Sequence, residues 1–273
     1  MKKIILLIIV SFVSVTLSIA APPLLDGDYK KMYADAEVYF INENYTAALP
    51  LYMALDSMKS NANLKFKIGF CYLNAATYKT KSIPYFEEAI KNIAKQYEEG
   101  EINEKKAPLA TLYYLAKAYH LNYEFDKAIA MYERYKAELG TDPKLAEEVA
   151  DIDHDIESCN NGKELIKDPK KIIVTNLGEG VNSPYPDYSP VVSLDEQTLI
   201  FTSRRAGGYI DAKELNGQFF EDIYTSEFSG DKWQKAKSIG NNINTAGHEA
   251  TINLSADGLK LLIYRDHKGN GDL

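Results

Sequence analysis

Apolar positions keep two different rhythms along this chain. Over residues 28–160 they fall at helical spacing, with small residues and aromatics at fixed offsets; from Lys171 they bunch into short runs separated by Asp, Gly, Asn and Ser. The first rhythm predicts paired amphipathic helices. The second predicts strands joined by tight turns. Asn160-Asn161-Gly162 and Asp168-Pro169 lie between them and predict a helix break and a linker over 161–170.

The helical half repeats. Ala48, Tyr52 and Leu55 return 34 residues later as Ser82, Phe86 and Ala89, and again as Ala128, Tyr132 and Tyr135. Ala36, Gly69 and Ala116 are each followed three residues on by Tyr39, Tyr72 and Tyr119. An insertion around Ile93 to Glu104 separates the second and third copies. Small residues let two antiparallel helices approach, and aromatics fill the space between turns. Pro50 and its counterpart Pro84 interrupt the second helix of copies one and two, where a proline kinks a helix or delays its start. Pro143 opens a further helix, Lys144 to Cys159, with apolar residues at Leu145, Val149, Ile152 and Ile156, suited to capping the last repeat.

The strand half repeats as well. Leu177-Gly178-x-x-Val181-Asn182-Ser183 returns as Ile239-Gly240-x-x-Ile243-Asn244-Thr245, a shift of 62 residues, and the same shift carries Asp187 to Glu249, Ser193 to Ser255 and Asp195 to Asp257. Strands are expected at Ile172–Thr175, Ser189–Ser193, Thr198–Ser203, Asp222–Glu227, around Trp233 and Ala236–Ile239, at Glu249–Leu254 and at Lys260–Tyr264. They predict one four-stranded antiparallel sheet and part of a second. Asp257-Gly258 signals a hairpin turn; Glu196 replaces that Gly in the first copy, so its turn is of another type or strained.

The small-x-x-Tyr and small-x-x-x-aromatic pattern resembles the tetratricopeptide repeat. Ser189-Pro190 to Asp195, Leu199 to Arg204, and Asp222-Ile223-Tyr224 resemble a TolB-type blade of WD-like β-propellers, as does His248-Glu249 before Asn253 to Gly258. The fold class expected is therefore α+β and multidomain: a tetratricopeptide array over 28–160 with its capping helix, then the start of a propeller over 171–273, left incomplete because a ring needs about four to eight blades. The strand at Ile172 is expected to complete the last blade. The order of segments is similar to a group of exported Bacteroidetes proteins that often continue into an OmpA-like peptidoglycan-binding domain and are linked to type IX secretion and gliding. That resemblance implies a periplasmic location, with outer-membrane association open. It implies envelope proteins as partners of both array and propeller, and peptidoglycan as a partner of any domain beyond Leu273.

The ends and the composition narrow this further. Lys2 and Lys3, an apolar run from Ile4 to Val15 and Ser18-Ile19-Ala20 predict a signal peptide over 1–20. No Cys lies near the cleavage point, unlike the many relatives that carry a lipoprotein anchor. A net charge of −8 argues against nucleic acid, whose binding draws on a basic face. Cys71 and Cys159 sit in separate helical patterns and read as two buried thiols.

There is no Gly-x-Ser-x-Gly, and His248-Glu249 lacks a second His at zinc-protease spacing. Asp151, Asp153 and Asp155 mimic a calcium loop but fall on an amphipathic helix. Asp266 to Asp272 reads as a turn or an ion ligand, and Arg204-Arg205 as an inter-loop tie or an anion site. No cofactor is expected. The expectation is a non-catalytic scaffold; the alternative is the regulatory propeller of an exported peptidase. Partner binding is assigned to the first helix of each pair, at Tyr33, Glu37, Lys65, Lys67, Tyr113 and Lys117.

Overall fold

A computed structural model of the chain describes residues 26–267 and 270–272. The expected signal peptide lies outside the described residues. Seven helices come first: α1 (Asp26–Ile41), α2 (Tyr45–Met58), α3 (Ala62–Asn74), α4 (Ile83–Ala89), α5 (Thr111–Leu121), α6 (Phe125–Leu139) and α7 (Ala146–Leu165). They pack in sequence order; the insertion separates α4 from α5, and shorter connections join the other neighbours. Asn44 and Asn61 start α2 and α3 by accepting the free backbone N–H groups of Ala47 (3.3 Å) and Leu64 (2.9 Å). Pro50 is accommodated inside α2, whereas Pro84 falls in the first turn of α4, after a 3-10 turn at Lys79–Ser82.

Small positions decide how closely these helices approach. Ala36, Ala48, Ser82, Ala116 and Ala128 are completely buried. A methyl group on Gly69 would stand 2.7 Å from the Phe86 ring, so only glycine lets α3 lie this close to α4. Tyr52, Phe86 and Tyr132, the large residues of the same repeat, fill the core between pairs.

The expected linker over 161–170 begins too early. α7 runs through Asn160-Asn161-Gly162 to Leu165. Gly162 does not break it, because a side chain there would meet the Phe125 ring at 2.6 Å; the glycine serves close packing. Ile152 and Cys159 bury the inner face of α7 against α6, while Asp151, Asp153 and Asp155 ride on the helix. The expected strand at Ile172–Thr175 does not form. Ile172, Ile173 and Val174 are 72%, 92% and 91% exposed, with no neighbouring strand to bond to among the described residues.

Two short parallel strands, β1 (Ile93–Ala94) and β2 (Ala107–Pro108), close the base of the insertion. The strand half forms two antiparallel sheets. In the first, β3 (Asp187–Val192), β4 (Thr198–Ser203) and β5 (Asp222–Ser229) are followed by β6 (Lys232–Trp233) and β7 (Lys237–Ser238). Both of these pair with β5 and together make one interrupted fourth strand. The second sheet is β8 (Glu249–Leu254), β9 (Leu261–His267) and β10 (Asn270–Asp272). The 62-residue register holds pair by pair. Asp187 faces Ser203 as Glu249 faces Arg265, and Val191 faces Ile200 as Asn253 faces Leu262, with a bulge at the same place.

The turns repeat atom for atom. Ser193 and Ser255 each donate to the following Asp and accept a backbone N–H five residues on. Glu196 takes the left-handed conformation of Gly258, φ 59° against 71°, so the first turn is the same type and strained. β8 lies against the first sheet. The Thr251 N–H donates to Thr202 Oγ1 (2.9 Å), its hydroxyl donates to the Ser189 carbonyl, and the Glu249 N–H donates to the Glu221 carbonyl (3.1 Å).

Candidate protein-interaction site

The first helices of the pairs, α1, α3 and α5, carry the six residues singled out from the sequence, and α7 continues the series. The structure divides the six. Tyr33, Glu37 and Lys67 are buried, so they offer no free surface. Glu37 accepts the Tyr52 hydroxyl (2.6 Å) on one oxygen and pairs with Lys67 Nζ (3.1 Å) on the other; Lys67 also stands 3.9 Å over the Phe40 ring. Lys65 points away, to Asp56 at 2.6 Å and towards the Tyr85 ring. Only Tyr113 and Lys117 keep an open position, the first half-buried and the second exposed.

The insertion is the reason the first half is closed. Residues 95–106 cross α1 and α3, held by backbone groups. Tyr33 donates to the Glu101 carbonyl (3.2 Å), and Asn63 donates through its amide to the Glu104 carbonyl (3.3 Å) and through its N–H to that of Lys105 (3.2 Å). Tyr97 donates to Asn63 Oδ1 (2.8 Å) and sets its ring against Phe66. Burial first, then the Glu37 carboxylate, push the Tyr33 hydroxyl far above the usual tyrosine range. The insertion's charged side chains face solvent apart from the half-buried Glu104, but Tyr97 and Ile102 turn inward. Those two apolar residues within a charged run were the available sequence signal. Nothing in it told where the run would land.

Beyond the insertion the face is open. A groove of about 400 Å³ runs between α3, α5 and α7, bordered by Asn74, Lys79, Tyr114, Lys117, Tyr132 and Asp155. Burial first, then the Asp155 carboxylate, push the hydroxyl of the fully buried Tyr132 far above the usual tyrosine range. Tyr113 packs edge-on to Tyr132, and Lys117 sits 5.4 Å over the Tyr113 ring. Burial, then the Asp155 carboxylate, push the Tyr113 hydroxyl up to about 12. Lys79 and Lys117 have no carboxylate partner among the described residues. The groove therefore combines an aromatic floor with two lysines that pair with no carboxylate among the described residues.

The strand half uses its charges internally. Arg204 pairs with Glu214 (2.8 Å) and Glu221 (3.0 Å), and the same two carboxylates bracket His248 at 3.3 Å each. Arg205 ties the Val181 carbonyl (2.8 Å) to Asp187 (2.9 Å). Despite burial, the Asp187 carboxyl is held low by bonds from Ser183, Ser203 and Arg205. Both arginines are inter-loop ties, and neither is left for an anion. Among the described residues no three His, Cys, Asp or Glu side chains converge as metal ligands, and no helix is long and apolar enough to cross a membrane.

No protein-family profile matches this chain. No curated protein matches it. Among solved structures it is similar to the type III secretion translocator chaperone SycD of Yersinia enterocolitica, at 14% identity and a TM-score of 0.39, over 52% of this chain and 90% of that one. The open groove is thus defined by its own geometry. Recognition is what such a groove can do: two rim lysines and an aromatic floor suit a polypeptide that brings acceptors.

Proposed function

We propose that this chain is a non-catalytic protein-interaction component of the bacterial cell envelope, exported to the periplasm, with its helical array as a receptor for a partner protein. The observation that carries the reading is the divided first-helix face. One half is already filled by an extended segment of the chain itself, and the other half keeps Tyr113, Tyr114 and Lys117 beside a groove of about 400 Å³. The two sheets related by 62 residues support a second part of the reading, that the strand half is the start of a TolB-like propeller. On this reading the propeller carries a further contact, and the assembly belongs with type IX secretion or gliding.

The test is site-specific photo-crosslinking in the native host. A benzoyl-phenylalanine at position 117 should trap one discrete partner, and the same probe at Lys170, exposed in the connector, should not. No cross-linked product from position 117, or the same products from both positions, refutes the receptor reading.

A further inference from the structure

We infer that the hairpin over residues 213–219 is a latch: it holds the strand half against the first turn of the helical array, and the two halves part when it releases. None of the groove residues takes part, so the latch is independent of the receptor reading.

Little else joins the halves. Among the described residues no helix of the array packs along a strand of either sheet. Residues 167–179, which connect them, are exposed throughout and form no strand. A segment with so few buried contacts bends readily.

The hairpin itself is held rigid. Lys213 bridges to Phe219, the Glu214 N–H donates to the Gln218 carbonyl (2.9 Å), and the Gly217 N–H closes the turn on the Glu214 carbonyl (2.9 Å). Its root is fixed from both sheets. Arg204, next after β4, donates to the Phe219 carbonyl (3.1 Å) and pairs with Glu214 (2.8 Å), while His248, just before β8, stands 3.3 Å from the same carboxylate. Tyr185 sets its ring edge-on against Phe219.

The tip of this hairpin meets Asn44, the residue that starts α2. Asn44 Oδ1 accepts the Ala47 N–H as a cap, and Asn44 Nδ2 donates to the Leu215 carbonyl at 3.5 Å, the long end of a hydrogen bond. Gly217 comes so close that a side-chain carbon there would stand 2.7 Å from Asn44 Nδ2. Around this one fitted point the joint is unfilled. A cleft of about 500 Å³ lies beside it, and Ile41 and Leu215 on its two sides are 73% and 78% exposed. Release therefore gives up one weak hydrogen bond and little apolar burial, which keeps the open and closed forms close in free energy.

The experiment is single-molecule energy transfer on the full chain, with dyes on Asp35→Cys in α1 and Asp231→Cys in the β5–β6 turn, both exposed. Cys71 and Cys159 are buried and stay unlabelled. The parent should show mainly one closed population. Asn44→Asp caps α2 equally well but has no donor for the Leu215 carbonyl, so the ratio of open to closed molecules should rise about three- to tenfold. Gly217→Ala and Gly207→Ala carry the same left-handed backbone, φ 79° and 78°, but nothing stands within 4 Å of the second, so only the first should open the chain. In Asn44→Gly, which keeps most of the cap, Gly217→Ala should add nothing further. Circular dichroism of each variant checks that the helices remain. Populations unchanged by Asn44→Asp and Gly217→Ala, an equal effect of Gly207→Ala, or a parent chain whose halves already move independently overturns the inference.

Discussion

The ion pair beneath the insertion makes a quantitative test of how that segment sits. Lys67 is completely buried and Glu37 nearly so, with 3.1 Å between Nζ and Oε2. Removing one member strands the other. Lys67→Met would leave the Glu37 carboxylate with neutral tyrosine hydroxyls and no cation, and breaking such a pair from one side costs about 3–5 kcal/mol. The contact of Lys67 with the Phe40 ring belongs to the same loss, at up to ~2 kcal/mol. Removing both charges should be far milder. In Glu37→Leu with Lys67→Met the main remaining fault is the Tyr52 hydroxyl, worth about 1–3 kcal/mol, and adding Tyr52→Phe should bring the triple variant close to the parent or above it. Urea unfolding of the full chain, followed at 222 nm with slopes compared, gives the three values. If Lys67→Met costs less than about 1 kcal/mol, water reaches the pair and the insertion does not seal it. If the triple variant is no better than the single, uncompensated charge is not what the single variant suffers from.

Other outcomes follow from single contacts. Gly69→Ala drives a methyl group to 2.7 Å from the Phe86 ring and should cost about 1–3 kcal/mol by the same urea assay. Glu196→Gly relieves a left-handed glutamate whose equivalent in the second sheet is already Gly258, and should stabilise the first sheet by about 1 kcal/mol, seen as a higher midpoint in calorimetry. Burial pushes the Cys71 thiol up to about 12 and the Cys159 thiol up to about 11, so neither should react with Ellman's reagent at pH 8 until urea is added, when both should. Burial raises the Asp222 carboxyl, with the Tyr209 N–H opposing and Glu249 adding to the rise. The folded chain therefore holds that proton more tightly than the unfolded one, and the contribution of Asp222 to stability falls as pH climbs from about 3.9 through its raised value. Asp222→Asn should flatten that part of the stability–pH curve.

Much of this architecture was legible because close packing and ladder register write themselves into spacing. The small residues that the repeat brings back had to be small wherever two backbones meet, and Ala48, Ser82 and Ala128 are all buried. The 62-residue shift predicted the pairing of every strand in both hairpins, since a slip of one residue would turn each side chain to the wrong face. Local signals misled where a distant neighbour decided. Asn160-Asn161-Gly162 reads as a helix end, yet the ring of Phe125 claims the space beside Gly162 and the helix goes on. Ile172-Ile173-Val174 reads as a strand, but a strand needs a ladder partner and none stands beside it among the described residues.

The site shows the same division. Sequence alone determined which helices line the face proposed for a partner, because repeat spacing sets which helices of the array lie side by side. It could not tell that residues 95–106 would fold back over half of that face, since a charged loop carries no periodicity to say what it touches. Only the tertiary structure turned Glu37 and Lys67 from presumed surface charges into a buried pair, left Tyr113 and Lys117 open, and set Asp155 beside the buried hydroxyl of Tyr132. It also let Arg265, which matches Ser203 in the repeat, reach the carbonyl of Ile243 just as Arg205 reaches that of Val181. Long side chains can serve one contact from different positions in the chain, and a count of residues does not record how far an arginine extends.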